Sequence, residues 1–167
     1  RCHALHLMML SARAALSIVG LAPPADATLS ISVPASANLG STSVSSSTQS
    51  AQLGTVTGSG NLLTLAFTAT VTTTVFTTGG GTANETIGKS QIYYWSGSAT
   101  STSGVLLTNV PGQLNAGLAV PLTAGAVAYT ASGAVAFSVS WNPTIVVHIP
   151  ANAVAGTYSG TITHSIA

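Results

Sequence analysis

Charge is what this sequence has least of. Three Lys or Arg and two Asp or Glu make up 3% of its 167 residues, where a soluble domain ordinarily carries about 25%. Three basic side chains cannot neutralise a run of phosphates, which excludes nucleic acid as a partner. Anionic membrane surfaces are excluded on the same ground. Cysteine is confined to Cys2, so no disulfide framework forms within the chain and the fold has to rest on its core. With so little Glu, Lys and Arg, surface helices lack their usual material.

Polarity is carried instead by Ser, Thr, Asn and Gly, set against 46% hydrophobic residues. Residues 63–75 read L-T-L-A-F-T-A-T-V-T-T-T-V. Leu63, Leu65, Phe67, Ala69, Val71 and Val75 occupy alternate positions, broken only by Thr73, and the positions between are Thr apart from Ala66. Period two describes a strand with one apolar and one hydroxyl face. Shorter alternating sets occur at Leu29, Ile31 and Val33, at residues 91–95, at Val135, Phe137, Val139 and Trp141, at Ile145, Val147 and Ile149, and at Tyr158, Ile162 and Ile166. The 53–57 strand is expected to turn at Gly58-Ser59-Gly60-Asn61 and fold back on the 63–75 strand, and residues 105–107 and 118–122 are expected to be short strands. Roughly seven to nine strands with turn signals between them predict an all-β fold, a two-sheet antiparallel immunoglobulin-like sandwich. The length suits one domain with a core that buries about 68% of the unfolded surface.

Residues 1–27 read as an export signal. A basic, His-containing start ends at Arg13, an apolar run follows from Ala14 to Ala22, and Ala25-Asp26-Ala27 presents small residues for a cut after Ala27. Met8 or Met9 is the expected true start. The apolar run is about half of what a bilayer span needs. Cleavage would leave residues 28–167 as the single domain, extracellular or at the cell surface, with Glu85 and Lys89 as its charged side chains beside His148 and His164.

Such a chain has little chemistry to offer. Two-carboxylate glycoside hydrolysis needs a second carboxylate beside Glu85, and no G-x-S-x-G elbow supports a serine nucleophile. If the last two strands pair through residues 150–156, His148 and His164 lie ~13 Å apart, too far to share a metal. Gly88-Lys89-Ser90 lacks the earlier Gly and the following helix of a phosphate-binding loop. Asn84-Glu85-Thr86 is a glycosylation sequon where the source makes that modification and an ordinary loop otherwise. The Thr row at 68, 70, 72 and 74 has the makings of an ice-binding ladder, which requires adjacent strands in register. Tyr93 and Trp95 share a face and could serve as a platform for sugar rings, or could lie in the core with Tyr94 and Trp141.

Residues 141–166 read W-N-P-T-I-V-V-H-I-P-A-N-A-V-A-G-T-Y-S-G-T-I-T-H-S-I. With L-S-I-S-V-P at 29–34 and Y-W-S-G at 94–97, residues 28–167 resemble exported immunoglobulin-like β-sandwich proteins of Gram-positive bacteria with no assigned activity. The A-G-T-Y-S-G-T-I-T ending at 155–163 is more distantly similar to the close of WxL-type surface domains, which associate with the cell wall, although His164-Ser165-Ile166 stands where that family has Trp-x-Leu. The resemblance implies a wall-associated or adhesive role.

The expectation is therefore a secreted, non-catalytic binding or adhesion module without cofactor or metal. Its partner would be a cell-wall polymer or a surface protein, with Trp95, Tyr94, Glu85 and Lys89 as contact residues. The alternative is a structural subunit that assembles with itself, since an almost uncharged chain lacks the repulsion that keeps copies apart.

Overall fold

The computed structural model describes residues 4–6, 10–16, 28–44, 47–61 and 64–167. Among these the protein is all-β. Six strands form the largest sheet, in the order Thr108–Pro111, Ala126–Ser132, Ala66–Thr73, Gly160–Ile166, Leu10–Leu16, Ser36–Ala37. A second sheet runs Ala99–Ser103, Phe137–Trp141, Val56–Gly60, Leu29–Ser32, and a third Val120–Pro121, Ile92–Trp95, Thr144–His148, Thr48–Gln52. Two strand pairs, Ala4–His6 with Ser41–Ser43 and Phe76–Thr77 with Thr86–Ile87, complete the list. Every described pairing is antiparallel except that of Leu10–Leu16 with Gly160–Ile166, which is parallel over seven residue pairs. Three 3-10 turns are the only helical segments described, and none is long and apolar enough to cross a membrane.

The Thr-rich strand behaves as its alternation predicts over Ala66–Thr73, where exposed and buried residues alternate without a break. Phe67, Ala69 and Val71 enter the core. Thr73 follows them inward and satisfies its hydroxyl by donating to the Thr74 carbonyl at 2.8 Å. The strand is shorter than expected at both ends. Leu65 is 56% exposed and Val75 40% exposed, because the chain leaves the ladder before Ala66 and after Thr73, and Phe76 takes the next inward place. The expected start at Leu63 lies outside the described residues.

Glycines decide the largest departure from expectation. Gly58 and Gly60 belong to the strand Val56–Gly60 and not to a turn, and that strand pairs with Phe137–Trp141 and Leu29–Ser32 instead of the Thr-rich strand. Phe67 and Phe137 lie stacked, with ring centroids 5.7 Å apart at 6°, on the backbone that these glycines leave bare. A Cβ on Gly58 would come within 2.7 Å of Phe67 Cζ, and one on Gly60 within 3.0 Å of Phe137 Cε1. The Ser-rich stretch before them also contributes a strand, Thr48–Gln52, on the edge of the third sheet. Residues 105–107 form a loop in which Leu106 has a φ of +50°, while Ala126–Ser132 pairs with the Thr-rich strand.

Inward residues of the three larger sheets share one apolar cluster. At its centre Tyr129 stacks on Trp141 with centroids 4.8 Å apart. The Trp141 indole N–H donates to the Tyr94 hydroxyl at 3.3 Å, and that hydroxyl lies 3.2 Å from Nε2 of His164. The Trp141 N–H and the Tyr94 hydroxyl thus each meet a polar atom from another sheet, as buried hydroxyl and indole groups require.

Candidate functional site

Alternation along Ile92–Trp95 sorts its aromatic residues. Ile92 and Tyr94 are fully buried, and Tyr93 and Trp95 sit half-buried on the opposite, outward side. Tyr93 pairs with Val146, so His148, two residues further along the neighbouring strand, shares that outward face. The two rings meet edge to face, with centroids 4.8 Å apart at 62°. Trp95 follows Tyr93 at a distance of ~6.7 Å along the strand.

The chain after Trp95 is pinned against a second segment. The Ser96 hydroxyl donates to the Gln113 carbonyl at 3.0 Å, the Gly97 N–H donates to the same oxygen at 2.9 Å, and the Gln113 N–H donates back to Ser96 Oγ at 3.1 Å. Gly97 has a φ of +72°, and a Cβ there would stand 3.4 Å from Trp95 Cζ3. Glycine therefore supplies the left-handed turn, and a Cβ there would make only ordinary contact with the indole. The buried Gln113 amide donates to the Val127 carbonyl at 3.0 Å. Its Oε1 and the Trp95 Nε1 are each buried with no hydrogen-bond partner among the described residues.

The expected contact residues do not form a single site. Tyr94 is in the core with its hydroxyl committed to Trp141 and His164, and burial holds that hydroxyl far above the usual phenol range. A surface contact through Tyr94 does not fit this placement. Glu85 closes a 3-10 turn, and its carboxylate accepts from the Thr82 N–H at 3.0 Å and the Thr82 hydroxyl at 2.8 Å. Those bonds hold its pKa below the ordinary carboxylate value. Lys89 is exposed in a 3-10 turn at the opposite end of the strand from Trp95. Only Trp95 of the four lies on the outward aromatic face. Tyr93 is recognisable in the sequence because it shares the alternation of Trp95, whereas His148 arrives through a strand pairing and Gln113 through its bonds to Ser96, and no local pattern announces either.

The two histidines occupy different sheets, because Thr144–His148 and Gly160–Ile166 do not pair as expected. His148 is exposed, while His164 is 1% exposed and burial lowers its pKa to about 4. No group of three or more metal-ligating side chains occurs among the described residues. Compared with known proteins, the chain matches no family model and no curated protein.

Proposed function

We propose that residues 28–167 form an exported immunoglobulin-like β-sandwich, non-catalytic, that binds a cell-wall polymer at the cell surface through Tyr93 and Trp95. The outward pair of aromatic side chains carries this reading. Tyr and Trp present large, stiff, amphipathic surfaces at little entropic cost, which is why they concentrate at contact sites. The low charge of the chain suits a neutral polymer better than an acidic one. Antiparallel sheets that share one core support the sandwich, and the resemblance of residues 28–167 to exported sandwich proteins supports the location.

The test is co-sedimentation of the secreted protein with purified cell wall. Trp95→Ala and Tyr93→Ala are expected to lower the bound fraction by roughly tenfold, the scale of a lost aromatic anchor. Wild-type protein that stays in the supernatant, or variants that pellet equally well, would sink the proposal.

A second reading, the self-assembling subunit, is favoured by a different observation. Leu10–Leu16 adds a strand along the full length of Gly160–Ile166, so that edge accepts strand addition, and cleavage after Ala27 would leave it open to another copy. Sedimentation of residues 28–167 over a wide concentration range distinguishes the two readings, since growth into large species without wall belongs to the second alone.

A further inference from the structure

The second and third sheets are two halves of one run of strands. Ile92–Trp95 leads into Ala99–Ser103, Thr48–Gln52 leads into Val56–Gly60, and Phe137–Trp141 leads through Asn142 and Pro143 into Thr144–His148, with the same lateral order in both halves. The halves are fastened where they meet. The Gly54 N–H donates to Asn142 Oδ1 at 3.0 Å and the Leu53 N–H to the Pro143 carbonyl at 2.8 Å. Phe137, Val139 and Trp141 are buried with Ile145 and Val147, which leaves Ser138 and Ser140 on the outward side with Val146 and His148. Tyr93 and Trp95 therefore stand at one end of a longer outward face.

Hydroxyls fill the other end in complete rows. Ser103 pairs with Ser138, Ser138 with Ser59 and Ser59 with Ser30, while Ser101 pairs with Ser140, Ser140 with Thr57 and Thr57 with Ser32. Both rows cross all four strands of the second sheet without a gap, ~4.8 Å from strand to strand and ~6.7 Å from row to row. Ser30 Oγ lies 2.7 Å from Ser59 Oγ, and Thr57 Oγ1 lies 2.8 Å from Ser140 Oγ. Such contacts hold the hydroxyls in place and still leave each pair one O–H and spare lone pairs. A hollow of about 370 Å³ lies over the outer row, lined by Ser30, Ser59, Ser103 and Ser138 together with Thr28 and Asn61. No strand of either half carries Asp, Glu, Lys or Arg. Trp95 stands opposite Thr144, and Ser140 and Ser138 precede Thr144 on the same run by at most ~14 Å and ~22 Å.

We propose that the polymer seated on Tyr93 and Trp95 continues along the strands onto these two rows, so that the site takes a linear, uncharged, polyhydroxylated chain several sugar rings long. The inference rests on the wall-binding reading and extends it from a contact point to a binding track. A sugar ring offers C–H edges that pack on an aromatic face and hydroxyls that need groups able both to donate and to accept. Tyr93 and Trp95 meet the first need, and Ser140, Thr57, Ser138 and Ser59 meet the second. A charged polymer is disfavoured because no cation along the track offsets the desolvation of its anions. The cost of association is met once, so each further ring on the track adds affinity until the track is full.

The test measures binding of the secreted protein, by tryptophan fluorescence, to neutral polysaccharide released from purified cell wall and cut into fragments of graded length. Wild-type affinity is expected to rise by about tenfold or more from disaccharide to hexasaccharide. S59V/S138V removes two hydroxyls from the outer row and is expected to lose that gain, binding long and short fragments alike. Ser138→Ala repeats the comparison if the double variant does not fold. A flat length dependence in the wild type, or a double variant that keeps the whole gain, overturns the track and leaves the contact at Tyr93 and Trp95 standing. Wild-type protein that binds no fragment, or Trp95→Ala that binds every fragment as wild type does, overturns the contact and the track with it.

Discussion

The Tyr94 hydroxyl stands 3.2 Å from Nε2 of His164 and ties the third sheet to the largest one inside the core. The same oxygen accepts the Trp141 N–H from the second sheet, so one phenol holds three sheets in register. His164 Nδ1 is buried on the far side of the ring without a partner among the described residues. A proton on this imidazole would place a charge in an apolar site, and burial lowers the pKa from 6.5 to about 4.

Stability should therefore fall as the solution is acidified through this window. An unfolded histidine takes up a proton below pH 6.5 or so, while folded His164 does not until about 4. Between those values the unfolded chain binds more protons, and the stability present above the window is lost as pH drops. The loss attributable to His164 is on the order of 3 kcal/mol by pH 4. Urea unfolding at pH 7 and pH 4.5 measures it, and His164→Phe should flatten the difference. Equal midpoints for the wild type at the two pH values would contradict the burial argument.

Removing the phenol oxygen strands its partners. Tyr94→Phe keeps the ring and leaves the Trp141 N–H buried without an acceptor, at a cost of about 1–3 kcal/mol. Tyr129→Phe is the comparison, since its hydroxyl donates to Asn109 Oδ1 at a part-buried position and the loss there should be about 1 kcal/mol. Thermal unfolding followed by tryptophan fluorescence ranks the two variants. A Y94F protein as stable as Y129F would mean that the Tyr94 network contributes little.

Gly58→Ala should destabilise through a single ring. The added methyl would lie 2.7 Å from Phe67 Cζ, and Phe67 is already fixed by its stack on Phe137. Overpacking of this kind costs roughly 1–3 kcal/mol. Phe67→Leu opens the space, so the G58A/F67L double variant should be more stable than the sum of the single changes predicts, by at least ~0.5 kcal/mol. Strict additivity in denaturant midpoints would show that the clash is relieved elsewhere.

That contact also shows where sequence reading stops. Strand alternation is local, so the inward rows at Phe67, Ala69 and Val71, at Val139 and Trp141, and at Ile145 and Val147 are visible without a structure. Gly58 and Gly60 read as a turn because glycine's usual role is conformational, whereas here it makes room for two rings that are distant in sequence. Pairing between strands is equally non-local, which hid both the separation of His148 from His164 and the continuation of the Thr row onto Thr130 and Thr163. Trp95 was legible as an aromatic on an alternating strand. Its neighbour Gln113 was not, because nothing local distinguishes a glutamine held in a loop by Ser96 from one in solvent.

Loss of residues 1–27 should have a defined structural consequence. Among the described residues, Gly160–Ile166 pairs on one side with Ala66–Thr73 and on the other with Leu10–Leu16. Ser36–Ala37 and Ser41–Ser43 take their strand partners from residues 10–11 and 4–6. Cleavage after Ala27 would remove those partners and leave alternate amides of 160–166 unpaired, which exposed backbone tolerates only while water or another strand satisfies them. In residues 28–167 at high dilution, the amides of 160–166 that faced the lost strand should exchange with deuterium faster than those that face Ala66–Thr73. Their exchange should slow as concentration rises if a second copy adds its strand. Protection that is complete at every concentration would show that residues 36–43, deprived of the same partners and still anchored by buried Leu39, have closed onto the edge within one chain, and it would remove the basis for assembly.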